Sequence, residues 1–129
     1  APLVCSETPE GDRLLARLAE RCMPVALVAL GFMGVGDFWA PWCAALRGDE
    51  IASVALSARL GPEGAEVGVD TVPAWRGRGY AAAATTGWAG HPSLHGRRLF
   101  YSTWRTNLPS RHVAQRLGLR FLGASLAIT

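Results

Sequence analysis

The stretch Pro73-Ala74-Trp75-Arg76-Gly77-Arg78-Gly79-Tyr80, followed by Ala81-Ala82-Ala83-Ala84, constrains this chain most. Glycine is poor in a helix and alanine is the best helix former. The alternation therefore predicts a loop with special backbone needs that feeds straight into a helix. Such a loop turns several backbone N–H groups toward one point, and the helix dipole adds partial positive charge there. Its glycines let the backbone approach a bulky anion. Arg76 and Arg78 add charge at the mouth. A phosphate or pyrophosphate ligand fits this chemistry. On glycine spacing alone, a plain turn with solvated arginines competes with it.

Two familiar phosphate loops are excluded. Ala82 stands where a dinucleotide fingerprint needs its third glycine, and the strands before the loop read as a meander rather than as parallel strands. No lysine followed by Ser or Thr is present, so it is not a Walker loop.

The surrounding pattern places the loop. Thr8-Pro9 reads as an N-cap with proline at the first helical position, and Leu14, Leu15, Leu18, Ala19 and Cys22 fall on one helical face. Pro24 stops that helix. Residues 25–42 read as a buried irregular segment or a short second helix. WCAAL, IASVALSARL and AEVGVDTV, with turns at RGDE and GPEG, predict three antiparallel strands. A helix is predicted from Tyr80 to Ala89, broken by GHPSLHG. RRLFYSTW is an alternating strand. Asn107 caps a last helix through Leu117, closed by Gly118, and RFLGASLAI reads as one final strand. The fold class is α/β (α+β), with an antiparallel first half and a β-α-β-α-β second half. The 129 residues fit a single domain, 1–129.

The charge balance narrows the partners. The net charge is +3, and all 13 basic residues are arginine. Arginine suits planar recognition of phosphate or carboxylate, although genomic base composition explains the bias equally well. No long basic run marks a nucleic-acid binder. Three cysteines, Cys5, Cys22 and Cys43, form no CxxC pair, which argues against a disulfide framework and a zinc site and for a reducing, cytoplasmic compartment. The most apolar stretch, VALVALGFMGVG, is too short and glycine-rich to span a bilayer, and it does not follow a basic N-terminal region.

Arg76-Gly77-Arg78-Gly79-Tyr80-Ala81 is similar to the Arg/Gln-x-x-Gly-x-Gly/Ala acyl-coenzyme A motif of the GNAT N-acetyltransferase superfamily. VDTVPAWRGRGYA resembles the family's strand, proline, loop and helix. STWRTNLPSRHVAQRLGLRFLG resembles its strand, asparagine, helix and Leu-Gly ending. The good match covers residues 65–123. The resemblance implies a mostly antiparallel mixed sheet flanked by helices and splayed at a coenzyme A cleft. It implies that the backbone of Val69, Asp70, Thr71 and Val72 meets pantetheine. The pyrophosphate then sits on the N–H groups of Gly77, Arg78, Gly79, Tyr80 and Ala81, with Arg76 beside them. Asn107 matches the asparagine near pantetheine, and also reads as a helix cap alone.

The implied activity is transfer of an acetyl or acyl group from acyl-CoA to a primary amine by direct attack, without a metal. Glu66 and Asp70, four residues apart on one strand face, are the candidate bases; a solvated carboxylate is the competing reading for each. A backbone N–H near Thr71 is available to the developing oxyanion. The family's tyrosine, seven residues after the asparagine, is replaced by Ala114. Ser102, Ser110 and His112 lie nearby as candidates more ordinarily structural. His91 and His95 are expected in solvent, and Tyr101 in packing or a cleft wall. Phe38, Trp39, Trp42 and Trp104 line an acceptor cleft or belong to the core.

The family usually has two strands after the last helix, and a first strand is hard to see here. A short variant, part of a longer chain, or an edge supplied by a second copy would each account for that, and the last predicts a homodimer. A non-catalytic CoA-binding module and a fragment that only associates with another domain are the competing functions. The acceptor is not written in these residues.

Overall fold

The computed structural model describes residues 2–102, 119–122 and 125–128. Its strands are β1 (Leu3–Cys5), β2 (Cys43–Arg47), β3 (Glu50–Leu60), β4 (Gly64–Thr71), β5 (Arg98–Ser102), β6 (Leu119–Leu122) and β7 (Ser125–Ile128). They form one seven-stranded sheet in the order β1-β2-β3-β4-β5-β7-β6. Only the β4–β5 pairing is parallel. The helices are α1 (Pro9–Glu20), α2 (Val25–Ala29) and α3 (Tyr80–Ala89).

Helix α1 starts where its chemistry says it should. The Thr8 hydroxyl accepts from Gly11 N at 3.0 Å, Pro9 opens the helix, and Glu10 and Asp12 meet the positive end of its dipole. Leu14 is buried, with Leu15 and Leu18 packed beside it. Cys22 lies past the helix end and is exposed, so the predicted apolar face stops short of it. The ambiguous segment resolves into the single turn of α2 and a 3-10 turn at Val35–Asp37. There Phe32 packs tilted against Phe38, which meets Trp42 edge to face, with centroids 5.0 and 5.5 Å apart. Trp39 is 54% exposed, so the aromatic group divides between core and surface.

The sheet has an apolar layer on each face. Leu14, Leu27, Phe32, Phe38, Trp42, Val54, Leu56 and Val72 fill the layer under α1 and α2. Cys43, Ala55, Val67, Ala84, Trp88 and Tyr101 fill the layer under α3. The one indole N–H buried there, on Trp88, donates to Ser57 Oγ at 3.1 Å, which donates to Pro41 O at 2.8 Å. The small face of the alanine run lets α3 lie close to the sheet, where Ala84 is fully buried.

Four expectations are corrected. The final strand is two, β6 and β7, and they pair antiparallel. A first strand exists, three residues long, paired to β2. The sheet therefore supplies the strands whose absence suggested a second copy. Cys5 and Cys43 are joined as a disulfide, because the β1–β2 register sets them directly opposite, 38 residues apart in sequence. Cysteine counting does not see a register. His91 is buried rather than exposed: its Nε2 donates to Ser6 O at 2.8 Å and its Nδ1 accepts from Ser93 N at 3.1 Å. A histidine beside a turn satisfies both ring nitrogens locally and can be buried at little cost. His95 is exposed, as expected.

Candidate functional site

The site begins where the described β4–β5 pairing ends. Gly64 to Val67 pair with Arg98 to Tyr101 of β5. The next four residues, Gly68 to Thr71, pair with β3 alone among the described residues. Among the described residues the β4–β5 pairing runs as far as Val67. Val72 N donates to Ala52 O at 2.9 Å, on the β3 side. Backbone groups alternate sides along a strand. The N–H and C=O of Val69 and Thr71 therefore point away from β3, while those of Gly68 and Asp70 face it. Ser53 ties this end down. Its hydroxyl donates to Asp70 O at 3.0 Å and accepts from the Thr71 hydroxyl at 2.9 Å.

After β4, a 3-10 turn at Pro73–Trp75 swings the chain out, closed by Trp75 N to Val72 O at 2.9 Å. Gly77 and Gly79 then take φ of 75° and 86°, the left-handed region that disfavours any side chain. A Cβ on Gly77 would meet nothing within 4 Å, so the space above the loop is open. Gly79 caps α3 with no side chain, and the first helical bond runs from Ala83 N to Gly79 O at 3.0 Å. The N–H groups of Tyr80, Ala81 and Ala82 have no helical carbonyl to serve. Arg76 and Arg78 are exposed beside them. A bare helix end, an open glycine loop and two guanidinium groups form a cradle for a large anion. The residues present thus fit a pyrophosphate, and the β4 edge past the described pairing fits an amide-bearing chain.

Two carboxylates share the other face of β4. Asp70 stands opposite Val54, and Glu66 opposite Arg59. Burial pushes the Asp70 carboxyl above its ordinary value, and the Arg76 charge partly offsets that. Glu66 accepts an ion pair from Arg59 Nε at 3.5 Å. Asp70 lies past the described β4–β5 pairing, whereas Glu66 lies within it. At about 3.3 Å per residue the two stand roughly 13 Å apart. One face, as expected, does not make them one site.

A cavity of about 270 Å³ abuts the loop end of β4, walled by apolar residues that include Leu14, Val72 and Trp75, with Arg17, Arg21, Asp49 and Glu50 also on its wall. Sequence reasoning missed Trp75 as anything but spacer. Its signal was available: an aromatic directly before an arginine-glycine loop. Asn107, Ala114, Ser110, His112 and Trp104 lie outside the described residues, and of Ser102 only the strand placement is described. Tyr101 is buried in the α3 layer. Among the described residues, no three His, Cys, Asp or Glu side chains cluster as metal ligands.

The mixed sheet with its parallel β4–β5 pairing, and the glycine loop that joins β4 to the start of α3, are features of an acyltransferase fold. The family model described as the acetyltransferase (GNAT) domain matches residues 17–120, and the chain belongs to that family. No curated protein matches the chain. Among solved structures, the chain is similar to a GNAT superfamily phosphinothricin acetyltransferase from Sinorhizobium meliloti in complex with AcCoA, at 17% identity and a TM-score of 0.62, over 98% of this chain and 85% of that one. It is similar to an N-acetyltransferase from Staphylococcus aureus Mu50, at 14% identity and a TM-score of 0.60, over 98% and 94%. It is also similar to the diaminobutyrate acetyltransferase of Paenibacillus lautus in complex with L-2,4-diaminobutyric acid and coenzyme A, at 19% identity and 0.55, over 92% and 78%. At these identities the likeness is one of fold.

Proposed function

We propose that this acetyltransferase moves an acetyl or acyl group from acyl-CoA to a primary amine by direct attack. The observation that carries the reading is the half-strand Gly68–Thr71, unpaired on the β5 side among the described residues and leading within a few residues to the Arg76–Ala81 cradle. The Sinorhizobium and Paenibacillus proteins, in complex with AcCoA and with coenzyme A, support the same use of this fold.

In this reading the N–H groups of Gly77 to Ala81 hold the pyrophosphate, and Arg76 and Arg78 neutralise it. The Val69 and Thr71 backbone pairs with pantetheine, which fixes the thioester beside the strand. Holding thioester and amine together supplies up to roughly 7–11 kcal/mol of the barrier in the best cases. The Thr71 N–H is the donor available to negative charge growing on the carbonyl oxygen. The amine proton must go to a base. Asp70, past the described β4–β5 pairing and with a raised pKa, is better placed than Glu66, which stays as a relay through water. Asn107 is the further pantetheine contact by family position. A thiol has a pKa near ~8.5, so thiolate departs with modest help even with Ala114 in the tyrosine's place. A cytoplasmic setting and a homodimer lose their sequence grounds with the Cys5–Cys43 disulfide, β1 and the β6–β7 pair in place; light scattering tests the second.

Titration with acetyl-CoA, then thiol release across an amine panel, tests the reading. Binding that Gly79→Glu abolishes, with turnover on some amine, is the expected result. Binding without turnover would leave a non-catalytic CoA module. No binding at all would sink the proposal.

A further inference from the structure

Arg47 ends β2, far in sequence from the loop, yet it arrives at the same place. Its guanidinium carbon lies 3.9 Å from the centre of the Trp75 ring, and that of Arg78 lies 5.4 Å from the same centre. Trp75 is half-buried, with its body packed on the α1/α2 layer. One indole therefore seats two guanidinium ions drawn from separate parts of the chain, both within cation–π range.

Asp49 and Glu50 line the cavity beside Trp75, but neither forms an ion pair with Arg47 or Arg78 among the described residues. The described arginine–carboxylate ion pairs are Arg13–Glu10 and Arg59–Glu66. Glu50 stands opposite Arg47 in the strand register, but no ion pair joins them among the described residues. Two cations thus sit within one Debye length of each other, ~10 Å at 0.1 M salt. The ring face attracts each of them, but it does not cancel their repulsion. A multivalent anion would. A guanidinium held against a ring has less side-chain freedom left to lose when it binds phosphate.

We propose that Arg47 is a co-substrate-binding residue: with Arg78, and seated on Trp75, it clamps one phosphate group of acyl-CoA. This rests on the reading of the Arg76–Ala81 loop as the CoA cradle. The loop amides lie at the start of α3, and both guanidinium groups lie at the Trp75 ring. In this proposal the clamp takes oxygens other than those the amides hold. Arg47 lies outside every motif that marks the loop, so the sequence pattern does not reveal it.

The test compares the affinities of CoA and 3′-dephospho-CoA for the wild-type chain and for Arg47→Met, Arg47→Lys and Trp75→Leu, with a melting curve for each. Arg47→Met keeps the aliphatic stem and removes the charge. It should weaken CoA binding about tenfold, the scale of one charge-assisted contact, with little change in melting temperature. Arg47→Lys should recover part of that loss. Trp75→Leu, which keeps both arginines but unseats them, should weaken binding less than Arg47→Met. A loss shared by dephospho-CoA puts the clamp on the pyrophosphate; a loss confined to CoA puts it on the 3′-phosphate; both support the inference. Wild-type affinity in Arg47→Met overturns it while leaving the cradle intact. Equal losses in Arg47→Met and Arg47→Lys, with a lowered melting temperature, overturn it too, because Arg47 would then only prop Trp75. A wild-type chain that binds no CoA fails the cradle itself.

Discussion

Gly87 and Cys43 meet so closely across the α3–β2 contact that there is no room for a methyl group between them. A Cβ built on Gly87 would lie 2.5 Å from Cys43 Sγ and 3.0 Å from Leu3 Cδ1. Cys43 is fully buried and tied to Cys5, so it cannot swing aside. The glycine, costly in a helix interior, is there to let α3 approach the sheet.

Gly87→Ala should therefore destabilise the chain, although alanine is the better helix former by about 1 kcal/mol. Overpacking costs about 1–3 kcal/mol or more, and it wins here. The melting temperature should fall by roughly 3–10 °C. Because α3 carries the cradle at its other end, acetyl-CoA affinity should fall as well. A variant as stable as the parent would show that α3 sits higher than described.

Ser57 is the second structural test. Its hydroxyl serves Trp88 Nε1 and Pro41 O together. Ser57→Ala strands a buried indole N–H, a loss of about 1–3 kcal/mol. Thermal melting should show it, while the affinity for acetyl-CoA should barely change, because neither group lies among residues 68–81. A large loss of affinity without loss of stability would contradict that separation.

How much of this was legible in the sequence depends on range. The Thr8 cap, the three-strand meander and the span of α3 were readable, because local periodicity and capping fix them. The loop was readable because only glycine accepts φ of 75° and 86° there. Relations set by register were not. The break in RFLGASLAI, the facing of Cys5 and Cys43, and the seating of Arg47 on Trp75 all depend on which strands become neighbours. His91 misled for another reason: its loop is polar in sequence, yet it folds back on Ser6 and buries the ring.

The cysteines give a direct chemical check. Cys22 is exposed and free, whereas Cys5 and Cys43 are bonded. Protein unfolded without reductant should take up one alkylating group per chain, and three after reduction. Peptide mapping should put the single label on Cys22. Three labels without reductant would mean that the facing pair is held as thiols.

Asp70 supplies the pH test, and its sign is fixed by its surroundings. Burial raises its pKa in the folded chain above the ordinary 3.8, against the smaller opposing pull of Arg76. From 3.8 up to that raised value the folded state binds more protons than the unfolded one, so Asp70 makes stability fall as pH rises through this window. Asp70→Asn should be more stable than the parent at neutral pH, and the difference should vanish below the window. Catalysis should respond in the opposite sense. If Asp70 takes the amine proton, activity at saturating acetyl-CoA falls as pH drops through the raised pKa, and Asp70→Asn loses about 10²–10⁴-fold in rate together with that acid limb. Arg76→Met, by removing the charge that favours the carboxylate, should move the limb to higher pH. Glu66→Gln should leave the limb in place. Turnover of Asp70→Asn at the parental rate, with the limb now lost in Glu66→Gln, would transfer the role to Glu66.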